Sequence, residues 1–224
     1  MNRDVRDRFN AVAPEYEDTR RKFIPDFDTF YGAGIQFLDC EKPDPRVLDL
    51  GAGTGLYTHK LLTRYPQARV TLVDFAGDML DIARRAFHEN PRIRFVQADY
   101  GAADFAGETF DIVISALSIH HEGEEGKRKI YEKVYALLNP GGEFLNADQV
   151  AAGTAALDQK YREIHAAFVK AHASGPEYAQ FLQNITLDRR TPVSPQLAWL
   201  QSAGFIQADC IFKLGCFAVM YGKK

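Results

Sequence analysis

The sequence predicts an α/β fold, a doubly wound parallel sheet, and three observations carry that expectation. Strand-like and helix-like segments alternate regularly through the first two thirds of the chain. The strand Val47-Leu48-Asp49-Leu50 runs straight into Gly51-Ala52-Gly53-Thr54-Gly55, a tight turn that opens a helix. The run Phe110-Asp111-Ile112-Val113-Ile114-Ser115-Ala116 is almost continuously apolar, as suits a strand covered on both faces.

Taken in order, residues 2–13 read as a short helix ended by Pro14, and a charged stretch, residues 16–25, follows. A second helix spans residues 26–40, with Asp26 as N-cap and Phe27, Phe30, Tyr31, Gly34, Phe37 and Leu38 on its apolar face. Lys42-Pro43-Asp44-Pro45 is a rigid lead into the first strand. Residues 56–65 form a helix stopped by Pro66, residues 68–74 the second strand, and residues 77–89 an amphipathic helix with Met79, Leu80, Ile82, Ala83 and Phe87 inward. Residues 92–99 and 110–116 are the third and fourth strands. Residues 124–138 are a helix closed by Asn139-Pro140-Gly141-Gly142, and residues 143–148 the fifth strand.

The alternation then breaks. Residues 154–172 and 176–187 read as two helices with no strand between them. Pro192 and Pro195 bracket the return to the sheet, and residues 196–203 form a helix stopped by Gly204. Residues 205–212 and 215–221 are two closing strands joined through Lys213-Leu214. The expected organisation is one domain: an N-terminal helical cap (1–43), a ligand-binding core (44–150), a helical lid insertion (151–190), and a closing helix and strand pair (191–224).

Composition narrows the classes. A formal net charge of −3 over 224 residues argues against a large RNA or DNA partner, although a local basic patch stays open. Cys40, Cys210 and Cys216 are odd in number and lack C-x-x-C spacing, which fits reduced thiols in a cytoplasmic protein rather than disulfides or a zinc site. The charged N-terminus lacks the apolar stretch of a signal peptide, and no apolar run reaches membrane-spanning length.

Ligands of open α/β sheets sit beyond the carboxyl ends of the strands. There, Gly51 and Gly53 can take positive φ and let backbone press on a ligand. The dinucleotide fingerprint G-x-G-x-x-G/A is broken, because Leu56 stands at its last position and Gly55 comes one place early. Asp74 ends the second strand at the distance where a carboxylate accepts from both hydroxyls of a ribose; a helix cap is the structural alternative. Asp99 ends the third strand and suits an adenine amino group, with a turn acid as its alternative. Tyr100 follows it, facing either the ring or solvent. Ser115-Ala116-Leu117-Ser118 ends the fourth strand and offers backbone carbonyls to a ligand's amino group.

The joint pattern resembles the class I S-adenosylmethionine (SAM) methyltransferases over residues 44–150. The matching pieces are residues 48–55, Val73-Asp74 with Met79-Leu80, Gln97-Ala98-Asp99, Phe110-Asp111-Ile112-Val113 and Leu138-Asn139-Pro140-Gly141-Gly142. The resemblance implies a Rossmann-like, doubly wound seven-stranded sheet with an antiparallel last strand, and SAM as cofactor with S-adenosylhomocysteine as product. It places Asp49, Gly51, Ala52, Gly53 and Gly55 at the methionine part of SAM, Asp74 and Phe75 at the ribose, Asp99 and Tyr100 at the adenine, and Met79 and Ala116 nearby. Phe9-Asn10-Ala11-Val12-Ala13-Pro14-Glu15-Tyr16-Glu17 is similar to the family's F-D-x-x-A-x-x-Y-D opening, which would bring Tyr16 and a nearby arginine, Arg21, to the methionine end. Arg20-Arg21-Lys22-Phe23-Ile24-Pro25 and the chain's ending resemble bacterial and archaeal methyltransferases filed beside the wobble-uridine tRNA modification enzymes.

Methyl transfer is an in-line displacement, so alignment and desolvation do most of the work and a base is needed only if the acceptor must lose a proton. His120, His121, Asp148 and Tyr16 are the candidates for it. His120-His121 has no third ligand at metal spacing in the sequence, so no metal site is expected. Tyr161, Ile164, His165, Phe168 and His172 recur at helical spacing in the insertion, as core or as acceptor pocket. The expectation is therefore a SAM-dependent methyltransferase of a small-molecule acceptor, cytoplasmic, a monomer or homodimer. The alternatives are a tRNA wobble-uridine enzyme using SAM or carboxy-SAM, and a non-catalytic SAM-binding protein. A nicotinamide oxidoreductase is disfavoured by Leu56 and by the lack of a Y-x-x-x-K pair.

Overall fold

A computed structural model describes residues 16–105 and 107–224. The predicted helix at 2–13 and the opening ahead of Tyr16 lie outside the described residues. The described strands are β1 (Arg46–Leu50), β2 (Arg69–Asp74), β3 (Ile93–Gln97), β4 (Phe110–Ala116), β5 (Leu138–Gln149), β6 (Gln207–Leu214) and β7 (Phe217–Lys223). They form one sheet in the order β3-β2-β1-β4-β5-β7-β6. β1 to β5 run parallel, and β7 is antiparallel to both β5 and β6. The order reverses direction between β1 and β4, which opens a crevice at their carboxyl ends.

Side chains of one strand alternate between two cores. Val47, Ile112, Ile114, Leu145 and Val219 point to one face, where α2 (Phe27–Phe37), α3 (Leu56–Arg64) and α4 (Gly77–Ala86) supply Phe30, Tyr31, Leu61, Leu80 and Ala83. Leu48, Leu50, Val113 and Phe144 point to the other, met by Ile130, Tyr131 and Val134 of α5 (Glu124–Leu137) and Leu200 of α8 (Val193–Ala203). A buried face on each side is why the central strands read as unbroken apolar runs.

The third group of helices is α1 (Tyr16–Phe23), α6 (Ala155–His172) and α7 (Gly175–Asn184). Phe23, Val169 and Phe181 close a small apolar cluster among them. Lys22 Nζ donates to Glu177 at 2.6 Å, and His165 Nε2 donates to the Phe23 carbonyl at 2.8 Å. Thr154 caps α6 through Leu157 N–H, and Ser174 with Glu177 forms a reciprocal capping box on α7. Among the described residues no helix is long and apolar enough to cross a membrane.

Several expectations need correction. Residues 16–23 are helical, because Phe23 finds tertiary partners that a charged octet does not advertise. Asp26 occupies the N-cap of α2 but in a left-handed conformation (φ 52°), and its carboxylate accepts from Thr29 Oγ1 at 2.8 Å instead of capping backbone. β5 begins at Leu138, not after the glycines. Asn139 Nδ2 donates to Asp111 at 2.7 Å and Gly141 N–H to the Lys224 carbonyl at 3.0 Å, so the Asn-Pro-Gly-Gly stretch stays on the sheet with an irregular register. The closing hairpin turns at Gly215-Cys216, two residues later than expected, where Gly215 takes φ 57°. The stripe on α6 divides: His165 is buried and Tyr161 and Phe168 half-buried, while Ile164 is 58% exposed and His172 exposed.

Candidate active site

The glycine loop leaves β1 at the switch point. Gly51, Gly53 and Gly55 all take positive φ (66°, 55° and 83°). The Gly51 and Ala52 N–H groups both donate to the Val73 carbonyl, at 2.8 and 3.0 Å. Gly53 N–H donates to Asp74 Oδ2 at 2.8 Å. The loop's donors are therefore spent inside the fold, which is the reverse of a pyrophosphate cradle with its free N–H groups. What it presents instead is bare backbone. A Cβ on Gly53 would meet nothing within 4 Å, whereas a Cβ on Gly51 would lie 2.0 Å from Ser118 Oγ.

Three acids surround this loop. Asp49 is fully buried; Thr58 Oγ1 donates to its Oδ2 at 2.6 Å, and its Oδ1 has no hydrogen-bond partner. Burial, with the nearby Asp74 charge adding to it, pushes its carboxyl up to about 7. Asp74 receives Gly53 N–H on one oxygen and Ala76 N–H on the other, at 2.8 Å each. Burial raises its pKa, against the pull of those backbone donors. Each oxygen still has a lone pair for a ribose hydroxyl. Asp99, half-buried, accepts from Gly101 N–H at 2.9 Å, the turn role that the sequence also allowed.

These residues fit SAM. An orphaned carboxylate oxygen, an acid-rich rim and a loop whose Gly51, Ala52, Gly53 and Gly55 N–H groups are spent inside the fold suit a cationic nucleoside better than a phosphate-bearing one. Gly51, Ala52, Gly53, Gly55, Asp49 and Asp74 gather at one strand-end loop, with half-buried Phe75 next in sequence. Ala116 ends β4 beside them, followed by Leu117, a non-glycine residue held at φ 50°. Two of the candidates are buried. Met79 is 1% exposed and packed in α4. Tyr100 does not face solvent: it is 1% exposed, accepts from Ser118 Oγ at 3.0 Å, and lies under Gly51. Lys133 holds its backbone from α5 through the Tyr100 carbonyl at 2.7 Å.

The native state keeps a proton on Asp49 that the unfolded chain releases, between a free value of 3.8 and about 7. Stability should therefore fall as pH rises through that window and level off above it. Asp49→Asn should remove this slope. Its advantage over the unsubstituted chain should be on the order of 4 kcal/mol at pH 8 and vanish near pH 3. Thermal melts of both proteins at the two pH values check this; parallel pH profiles would refute it.

Beyond β4, a 3₁₀ turn (Ile119–His121) carries the histidines. Asp148, near the end of β5, accepts from His120 Nδ1 at 2.5 Å and from its backbone N–H at 2.9 Å. His120 Nε2 lies 3.4 Å from Asp188 Oδ1, and His121 Nδ1 3.8 Å from the same atom. Burial alone would strip the proton from His120, but Asp148 and Asp188 outweigh it and raise its pKa to about 9. Asp148 and Asp188 thus favour the protonated form of His120, and Asp148 fixes its ring through Nδ1 and its backbone N–H. His121 is driven the other way, first by burial and then by the His120 charge, and stays neutral.

The sequence singled out neither Asp188 nor the true position of the arginines. Asp188 follows a 3₁₀ turn (Ile185–Leu187) after α7, and Arg189 N–H donates to the His120 carbonyl at 2.9 Å. Arg21 donates to Asp28 at 3.0 Å and covers the Phe27 ring at 4.3 Å; it is Arg20 whose charge acts on His121. Tyr16 begins α1, and its side chain is outside the described part. Asn146, paired across the strand with Ser115, shares a face with Asp148 but donates to Tyr131 on α5.

Sheet order, glycine loop and strand-end acids match the arrangement of the class I SAM-dependent methyltransferases and suit SAM as cofactor. Residues 47–142 match the family described as Methyltransferase domain. The demethylmenaquinone methyltransferase of Thermus thermophilus is 34% identical over 138 residues, covering 61% of this chain and 62% of the relative. Among solved structures, an O-methyltransferase family protein from Burkholderia thailandensis superposes with a TM-score of 0.63 at 18% identity, covering 98% of this chain and 59% of that one. Human N-acetylserotonin methyltransferase in complex with SAM gives 0.57 at 19% identity, covering 96% and 54%. These structures establish a shared fold. The chain spans less than two thirds of the length of the curated relatives first matched, 40%, 62% and 35% of them.

Proposed function

We propose that the chain moves the methyl group of SAM to a small-molecule acceptor held between the glycine loop and the His120–His121 turn. The observation that carries this reading is contact: Gly51 and Ser118 are so close that no Cβ fits between them. In this reading the cofactor loop and the turn bearing the histidines, adjacent at Gly51 and Ser118, wall one space. SAM supplies an electrophilic methyl carbon on a sulfonium. The chain's part is to align the acceptor and exclude water.

Helices α1, α6 and α7 are the lid in this reading. Phe23, Val169 and Phe181 tie them to one another, and Asp188, just past α7, reaches His120. The chain works as a cytoplasmic monomer or homodimer. Purified protein given methyl-labelled SAM and extracts of small metabolites should transfer label to a molecule under about 1 kDa and form S-adenosylhomocysteine in equal amount. Label in tRNA instead would favour the wobble-nucleoside reading. Tight SAM binding without transfer to either would reduce the chain to a SAM-binding protein.

A further inference from the structure

We propose that His120, His121 and Asp188 form a binding site for one divalent transition-metal ion of the zinc class. The site lies in the acceptor wall and deepens the reading above, on which it rests. The fold gathers two imidazole nitrogens and a carboxylate oxygen within 4.8 Å of one another, all on buried or half-buried residues. A tetrahedral zinc ion with bonds of about 2.0–2.1 Å places its donors about 3.4 Å apart. The His120–Asp188 separation already has that value at 3.4 Å, and His121–Asp188 is near it at 3.8 Å. The widest side would have to close by no more than about 1.4 Å, within reach of ring and carboxylate rotation.

The groups around the donors are arranged as metal sites arrange them. A ligating histidine usually gives its other N–H to a carboxylate, which fixes the free nitrogen toward the ion. His120 does this, with Nδ1 donating to Asp148 at 2.5 Å and Nε2 turned to Asp188. His121 is held from the other side by the Leu187 backbone. The segment bearing Asp188 is fixed by buried Lys127, which donates to the carbonyls of Arg189 and of Glu122 (2.8 Å) and to Thr191 Oγ1 (3.2 Å). Three protein ligands leave a fourth position for water or for an acceptor hydroxyl or thiol, the ligand count of reactive zinc sites rather than structural ones. Two imidazole donors and the Asp188 carboxylate, with the Asp148 carboxylate beside them, make up the mixed donor set that suits a divalent ion. Arg20 and Arg190 act on the same groups and oppose a cation, so affinity has to be measured.

The test uses tag-free chain, stripped by chelator and titrated with Co²⁺ by visible absorption and with Zn²⁺ by calorimetry, SAM binding being measured on every sample. The expected result is one ion per chain with tetrahedral Co²⁺ bands. Asp188→Asn and His121→Gln should each weaken the ion at least tenfold while SAM still binds, and Cys40→Ser/Cys210→Ser/Cys216→Ser should leave it unchanged. No saturable one-to-one binding, or affinity unchanged from the unsubstituted chain in both ligand variants, would overturn the metal site. Loss of SAM binding in the unsubstituted chain would instead overturn the cofactor reading, so the two failures are distinguishable. If Asp188→Asn does not fold, His121→Gln decides alone.

Discussion

Gly51→Ala is expected to abolish SAM binding and to lower the melting temperature by roughly 6–12 °C, taking about 3 kcal/mol and 2–4 °C per kcal/mol for a domain of this size. Two costs combine. A left-handed backbone (φ 66°) costs a residue with a Cβ about 1–2 kcal/mol, and the new methyl would sit 2.0 Å from Ser118 Oγ. Ser118 is buried, bonded to Tyr100, and opens the turn that carries His120, so it cannot retreat cheaply. Gly53→Ala is the companion measurement. Its φ of 55° costs a similar amount, but nothing stands within 4 Å of the new methyl. That variant should lose only about 2–8 °C and still lose SAM affinity at least tenfold, because the space it fills is the cofactor's. Ser118→Gly placed on Gly51→Ala should recover part of the melting temperature. If Gly53→Ala binds SAM normally, the open side of the loop is not where the cofactor lies.

Much of this site could be read from the chain because its signals are local. β4 is apolar at nearly every position, and a strand buried on both faces has no other way to look. The glycine loop is confined to five successive residues, and Asp74 stands at the end of the next strand. What escaped reading depends on contacts between distant segments. Asp188 becomes a partner of His120 only because Lys127 and the Arg189 backbone fix the chain after α7 against the histidine turn. No periodicity near residue 188 announces that. The charge on His120 has the same origin: two adjacent histidines look alike in sequence, and only the carboxylates from β5 and from the post-α7 segment set them apart. Family position puts Tyr100 and Met79 near the nucleoside, and their burial, at 1% exposure each, is also set by packing that no local pattern announces. Leu117 carried no signal at all, since a left-handed leucine is visible only in the backbone.

Asp74→Ala is expected to eliminate measurable SAM binding, and the harder question is why. In the structure the carboxylate already has work to do: one oxygen holds Gly53 and the other the first turn of α4 through Ala76. Removing it leaves two buried N–H groups unpaired at about 1–3 kcal/mol each, enough to disorder the loop without any ribose contact. Asp74→Asn separates the roles only in part, since its amide turns a donor toward one of those N–H groups. A thermodynamic cycle separates them fully. Wild type should bind SAM at least tenfold more tightly than an analogue lacking both ribose hydroxyls, because the remaining lone pairs of Asp74 have lost their donors. Asp74→Asn should bind both ligands weakly and discriminate between them by less than about threefold, half a log unit or about 0.7 kcal/mol. If the variant keeps the full preference while its melting temperature drops, Asp74 is a strut of the glycine loop and the ribose is read elsewhere. If the preference disappears along with the stability, one carboxylate is doing both, which explains how a single acid at a strand end can shape the loop and read the ligand that the loop exists to hold.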